Sequence, residues 1–421
     1  GSITVDNLHL SDFLLNPGSV FTGTGITPYV AENGEVKNTI TGSNAGTSGI
    51  AGLVLNTKMG LQSYSKNNTS VTADKKNTKT TNDGLLTMIE NTSGVVGAYT
   101  KYGTLENTAN GVITTNETAS IAMYGIDDSD IINNGITNIS GNNSIGIYAL
   151  SNDTTSPVAA AGGINVANNG TINVSGSTSA GIYAEKNNTT AVNNKISNSG
   201  TINVNSGSSV GIYTDNVSIT NTGTINLGET SISTDGGRIA VYGKGADTKI
   251  TTTGANINLG QIDQSQVAYY IADGAELTGS NLGTVSGNGI LILSDNSTIG
   301  SGISEITAGD GQIALALKGN NTINYTGEIK TGNTVNTGTN KFYSIALYAD
   351  TQNIASLSNK LTAGASGIGL YAGGGSGTAG TGSNITYSGE IETGASGIGI
   401  YIKAGSNVNL VSGGRIKIKD L

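Results

Sequence analysis

A chain of 421 residues with 64 glycines, 3 prolines, no tryptophan, no cysteine and 12% charged residues is not composed like a set of compact globular domains. Its formal charge of −9 and pI near 4.7 repel phosphate backbones and anionic lipid, which argues against nucleic acid as a partner. With no thiol and a single histidine, His9, neither a transition-metal site nor a cofactor is expected, and the lack of cysteine suits a protein secreted through an oxidising compartment.

Asn, Thr, Ser and Gly crowd the chain while Ile and Val recur at short intervals, so a thin core is expected in place of disorder. Gly1-Ser2 reads as a cloning scar ahead of a segment taken from something larger, and no apolar run is long enough for a transmembrane helix. Residues 1–95 carry faint coils, at ENGEV (32–36) and SGIAGLV (48–54). A polar insertion at 56–83 interrupts them, with Lys58, Lys66, Lys75, Lys76 and Lys79 set against Asp74 and Asp83. Such a run reads either as a solvated loop or as one extruded to meet an anionic partner.

Residues 96–421 read as one continuous solenoid. A tyrosine motif recurs as VGAY at Tyr99, IAMY at Tyr124, IGIY at Tyr148, AGIY at Tyr183, VGIY at Tyr213, IAVY at Tyr242 and VAYY at Tyr270. It continues as ILIL at Leu293, IALA at Ala316, IALY at Tyr348, IGLY at Tyr371 and IGIY at Tyr401, with spacings from 23 to 35 residues. Variable spacing over a minimal unit is what a solenoid tolerates when extra residues leave as loops, here expected at 149–163, 185–195, 332–341 and 373–382.

A second motif precedes most tyrosines, as in NNGTINV (168–174), NSGTINV (198–204) and NTGTINL (221–227), and a weaker apolar pair comes earlier still, as in DIINNG (130–135). Each unit therefore holds three short strands. In GTINV the Ile and Val share one face and the Thr and Asn the other, the period of a strand with one buried side. Three strands per turn with no helical periodicity predict an all-β, parallel β-helix, right-handed by the general preference of parallel crossovers. Asn-Gly and Ser-Gly pairs are expected to supply left-handed backbone at the corners. In the tyrosine strand, aliphatics three and one residues before Tyr are expected inside, which places the rings in an outward column; the opposite phase, rings inside, stays open.

Many β-helices cleave polysaccharides, which takes converging carboxylates. Asp127, Asp128 and Asp130 form the one tight acidic cluster and fall in a predicted turn. Arg415-Ile416-Lys417 echoes a pectin-hydrolase triplet without its partners. No enzyme is expected.

The paired motifs, as in NNGTINVSGSTSAGIYAEKNN (168–188), resemble the passenger regions of the very large autotransporter adhesins of fusobacteria, over about residues 94–421. The resemblance implies a secreted, surface-exposed passenger, attached in its parent to an outer-membrane β-barrel that this sequence does not contain. It also implies a role in adhesion and virulence, through binding of host-cell or bacterial-surface glycan or protein. It carries over no binding residues, because the shared motif is scaffold. The expectation is a monomeric adhesin segment, with a structural stalk and a polysaccharide-cleaving enzyme as alternatives. Expected contacts are Lys58, Lys66, Lys75, Lys76, Lys79 and the outward Tyr148, Tyr183 and Tyr213.

Overall fold

Four-residue strands that bury every second side chain build this protein. In Thr171–Val174, Ile172 and Val174 are fully buried while Thr171 and Asn173 stay half-exposed, and Thr201–Val204 repeats the pattern. A computed structural model describes residues 2–5, 29–32, 34–39, 53–55, 58–64, 78–89, 93–152, 163–187, 194–228, 237–260, 264–279, 281–375, 378 and 380–419. Among the described residues there is no helix, and the chain forms a parallel β-helix. It divides into two compact units, Gly1–Thr224 and Ile225–Leu421.

In the first unit, three parallel ladders run from coil to coil. One stacks the tyrosine strands, including Val96–Lys101, Ile121–Ile126, Ile145–Ser151, Ala180–Lys186 and Val210–Asp215. A second stacks strands that end in asparagine, from Glu35–Asn38 through Lys79–Asn82 and Asp130–Asn133 to Ser218–Asn221. The third stacks the Thr-Ile-Asn-Val type, such as Ile136–Ile139 and Thr171–Val174. Inward Ile, Val, Leu and Met form the core, each worth about 1.5–3 kcal/mol when removed from water.

A polar file runs through this apolar interior. Asn38, Asn82, Asn107, Asn133, Asn168, Asn198 and Asn221 are buried in register, and each Nδ2 from Asn38 to Asn198 donates to the next Oδ1 at 2.7–2.9 Å. Asn82 Nδ2 also donates to the Gly84 carbonyl at 2.9 Å, so the amides tie the corner that follows them. A second file holds the corner before the tyrosine strand: the N–H groups of Ser120, Ser144 and Ser179 donate to Oγ of Ser144, Ser179 and Ser209 at 3.0–3.1 Å.

The expectation about the corners is corrected in part. Gly135, Gly170, Gly200 and Gly223, which precede the Thr-Ile-Asn-Val type strands, do not adopt left-handed backbone; a Cβ on Gly170 would lie 2.1 Å from the Gly135 carbonyl oxygen, and one on Gly200 2.1 Å from that of Gly170. Close stacking of corner on corner demands glycine there. Glycines of the pairs Ser93-Gly94, Ser286-Gly287 and Ser412-Gly413 are left-handed as expected, with φ of 84–99°, but other left-handed corners hold Ala119, Asn143, Thr178 and Ser208, with φ of 52–56°. These cost of order 1–2 kcal/mol each and are held by the stacked coils.

The tyrosine strand also departs from simple alternation. The residue before each ring is inside, as expected for Ala98, Met123, Ile147, Ile182 and Ile212. The aliphatic three before it is half-buried in most copies, as at Val96, Ile121 and Ile145, and the small residue two before it points in. The ladder pairs Ile145 with Ala180 and Ile147 with Ile182 but passes over Gly146 and Gly181, where successive residues of the strand are buried. A Cβ on Gly146 would meet the Gly181 carbonyl oxygen at 2.6 Å and Ile172 Cγ2 at 2.8 Å, so only a small residue fits comfortably.

The segment 56–83 is not wholly extruded either, because Met59–Tyr64 and Lys79–Asn82 at its ends are coil strands. Leu61 and Thr80 supply the inward side chains. Of the other expected loops, 149–163 and 185–195 start inside strands Ile145–Ser151 and Ala180–Lys186, and 373–382 starts at the end of Ile368–Gly373.

In the second unit the tyrosine ladder runs through Ile239–Lys244, Val267–Ala272, Gly289–Asp295, Gln312–Lys318, Ile345–Asp350, Ile368–Gly373 and Ile398–Ile402. The other two ladders break. One ends at Thr322–Ile323 and a new one starts at Asn353–Leu357; the other ends at Thr284–Ser286 and a new one starts at Ile306–Thr307. Tyr269, Tyr325 and Tyr387 fill the interior here, their hydroxyls donating to the carbonyls of Leu282, Glu328 and Asn359 at 2.8 Å. Residues 332–341, expected as a loop, contribute to an antiparallel pair, Val335–Asn336 with Lys341–Phe342.

The asparagine file yields a stability prediction. Asn168→Ala removes two amide links and strands buried donors and acceptors on Asn133 and Asn198, at an expected cost of about 2–4 kcal/mol. Asn173→Ala on the half-exposed face of the neighbouring strand is expected to cost about 1 kcal/mol or less. Denaturant unfolding of the two variants compares them, and equal losses would contradict a special role for the buried file.

Candidate interaction surface

The tyrosine strands place one ring per coil on the outer wall because the preceding residue is committed to the core. In the first unit Tyr99, Tyr124, Tyr148, Tyr183 and Tyr213 are half-buried register partners. Tyr124–Tyr148 and Tyr183–Tyr213 stack with centroids 5.0 and 4.5 Å apart, while Tyr99–Tyr124 and Tyr148–Tyr183 meet edge to face at 5.4 and 5.3 Å. Each contact adds about 0.5–1.5 kcal/mol beyond area burial. Stacked rings cover one another's faces, so the wall presents mainly ring edges and hydroxyls.

Glu185 binds this column across coils. Tyr148 Oη donates to its Oε1 at 2.6 Å and Tyr183 Oη to its Oε2 at 3.2 Å. Burial, reinforced by that carboxylate, pushes both phenols well above their ordinary range. Burial also pushes Tyr99 up to about 12, with Tyr124 and Asp127 adding to the effect.

In the second unit Tyr242–Tyr270 stack at 4.5 Å, and Tyr348–Tyr371 and Tyr371–Tyr401 at 4.8 and 4.9 Å. Leu293 and Ala316 take the ring position between these groups. A groove of about 310 Å³ lies where the third ladder breaks, lined by Asn281, Leu282, Thr284, Val285, Glu305 and Thr307 among others. Gln312 replaces the missing backbone rung beside it: its Oε1 accepts from Gly309 N at 2.9 Å and its Nε2 donates to the carbonyls of Gly287 and Val285 at 2.7 and 3.3 Å.

Of the expected contact residues, Tyr148, Tyr183 and Tyr213 are brought together in one column. Lys58 and Lys79 do not join it: Lys58 Nζ donates to the Ser93 carbonyl, and Lys79, on the asparagine ladder, pairs with Glu106 at 2.9 Å. Lys66, Lys75 and Lys76 lie outside the described residues. Asp127 pairs with Lys101 at 3.5 Å and accepts from Asn152 N at 2.9 Å, and Asp130 accepts from Asn165 Nδ2 at 2.8 Å, so these two carboxylates of the acidic cluster brace adjacent coils. Arg415 and Lys417 both reach Glu390, at 2.6 and 3.0 Å. The carboxyls of Glu390, Glu392 and Asp83 are held below their ordinary range, by hydrogen bonds from Lys417, Lys419 and Thr108 respectively.

Glu185 and Gln312 escape sequence reasoning because each works between coils at separations that vary with loop length. Comparison with protein-family profiles, with curated proteins and with solved structures returns no match for this chain.

The raised phenols set an alkaline limit. A group whose pKa rises on folding stabilises the fold fully below its free value, here 10.0, and the contribution is lost as pH climbs through the folded value, about 12 for Tyr99. The sheet signal is expected to persist to pH 10 and fall between pH 10 and 12, with phenolate absorbance rising alongside it. Full phenolate absorbance near pH 10 with the sheet intact would contradict the buried column.

Proposed function

We propose that this chain is a non-catalytic adhesive segment of a bacterial surface protein, an autotransporter passenger that binds glycan or protein on host cells or neighbouring bacteria. The observation that carries the reading is the outward tyrosine column, with ring edges and hydroxyls repeated at coil spacing along one wall and the Glu185 carboxylate between two of them. Such a wall offers hydrogen-bond donors and acceptors on a rigid frame, where little side-chain entropy is lost on contact. The carboxylates with lowered pKa are engaged by neighbouring hydrogen-bond donors, several of them cations, which supports a structural use of charge. The repeat motif and its resemblance to fusobacterial passengers support a place at the cell surface.

A second reading, a stalk that displays a distal binding tip, is favoured by the buried asparagine file, which stiffens the scaffold without facing any ligand. Removing whole coils from the parent protein separates the two: a stalk loses adhesion gradually with length, whereas a recognition segment loses it at particular coils.

The purified chain is expected to bind in a screen of glycans, host cells and bacterial surfaces. The triple variant Tyr148→Phe, Tyr183→Phe, Tyr213→Phe keeps the rings and removes the hydroxyls, and is expected to weaken binding roughly tenfold with an unchanged sheet spectrum. Binding to none of these surfaces, or release of reducing sugar from a polysaccharide panel, would overturn the proposal.

A further inference from the structure

Within the tyrosine column certain phenols are placed to react with each other. Tyr183 and Tyr213 are register partners whose rings stack with centroids 4.5 Å apart and planes 15° from parallel. Tyr242 and Tyr270 in the second unit stand at 4.5 Å and 9°. In both pairs the two rings lie face to face. Tyr183 also donates its phenolic hydrogen to Glu185, at 3.2 Å, so a proton acceptor is in place when an electron leaves that ring. These rings are half-buried, with their edges open to the surface.

We propose that Tyr183–Tyr213 and Tyr242–Tyr270 are oxidative cross-linking sites, at which hydrogen peroxide and an oxidant of the haem-peroxidase class join each pair as dityrosine. Each phenol gives up one electron and its phenolic proton, leaving a neutral radical with spin density on the ortho carbons. Glu185 takes the proton of Tyr183 and passes it to water. The two unpaired electrons form a new bond between ortho carbons, and the two hydrogens on those carbons shift to the oxygens, restoring both phenols. The pair has then lost two electrons and two protons, which convert one hydrogen peroxide to two waters.

Geometry selects these pairs. Tyr148 and Tyr183 also share Glu185, but their planes stand 78° apart, which sets the edge of one ring against the face of the other. Tyr124–Tyr148, Tyr348–Tyr371 and Tyr371–Tyr401 stack farther apart, at 4.8–5.0 Å. A radical formed elsewhere can hop between adjacent rings and settle where coupling is nearest. A bond between neighbouring coils would staple a fold in which each coil is held only by its neighbours.

The test treats the dilute purified chain with a haem peroxidase and one equivalent of hydrogen peroxide. Dityrosine fluorescence is expected to grow while the chain stays monomeric on denaturing electrophoresis. Mass spectrometry should find the peptides of Tyr183 and Tyr213, and those of Tyr242 and Tyr270, joined with loss of two hydrogens. Tyr213→Phe should abolish the first link and spare the second. Glu185→Gln should slow the first link roughly tenfold through loss of the proton acceptor, and leave the rate of the second unchanged, which distinguishes this effect from misfolding. Links formed chiefly between molecules, or chiefly through Tyr343 and Tyr401, the more exposed rings at 44% each, would overturn the proposal. So would the same links at the same yield in a chain first unfolded in urea.

Discussion

A single coil of this protein cannot sustain itself. Two strands of about four residues and one of six or seven offer a handful of inward aliphatics and leave both edges of every strand unpaired, so order depends on each coil lying in register on the next. Register brings like onto like: Ile172 onto Ile202, Asn168 onto Asn198 and Tyr183 onto Tyr213. A shift of one residue would turn the Ile and Val of every Thr-Ile-Asn-Val strand outward. The polar files add a penalty that the apolar core alone would not impose, because a displaced asparagine amide would be buried against aliphatic side chains with no partner.

The same constraint explains the corners. Coils that stack at strand spacing bring corner backbones within a few ångströms of one another, and Gly135, Gly170 and Gly200 are glycines because a carbonyl oxygen of the preceding coil occupies the space of a Cβ. Left-handed corners can then be built from Asn143, Thr178 and Ser208, whose strain is offset by a serine file and two flanking coils.

Much of this architecture was legible in the sequence. The alternation of GTINV identifies Ile172 and Val174 as core, and the tyrosine repeat predicts a column with one ring per coil. What was hidden depends on partners one coil away. The first asparagine of the Asn-x-Gly motif reads as a turn former, and nothing local reveals that Asn133, Asn168 and Asn198 point inward and bond to each other. The half-buried position of Ile145 is hidden because Gly146 and Ile147 are both buried, which strict alternation does not allow. The broken ladders of the second unit, with Gln312 standing in for a rung and Tyr325 inside, follow from residues that depart from the repeat, where a pattern gives no guidance. The column supplies a wall of edges and hydroxyls, to which Glu185, a residue the repeat does not encode, adds a carboxylate.

The chain has no cysteine of its own, which makes register directly measurable by paired substitutions. Asn173 and Asn203 are outward partners on adjacent coils, with side chains 2.8 Å apart. Cysteines at positions 173 and 203 should form a disulfide under mild oxidation, since in-register neighbours fall within the required Cα separation of about 4.4–6.8 Å. Cysteines at 173 and 201, two residues out of step on the same face, should stay reduced. Efficient closure of the second pair with failure of the first would contradict the stacking of like on like from which every other feature follows.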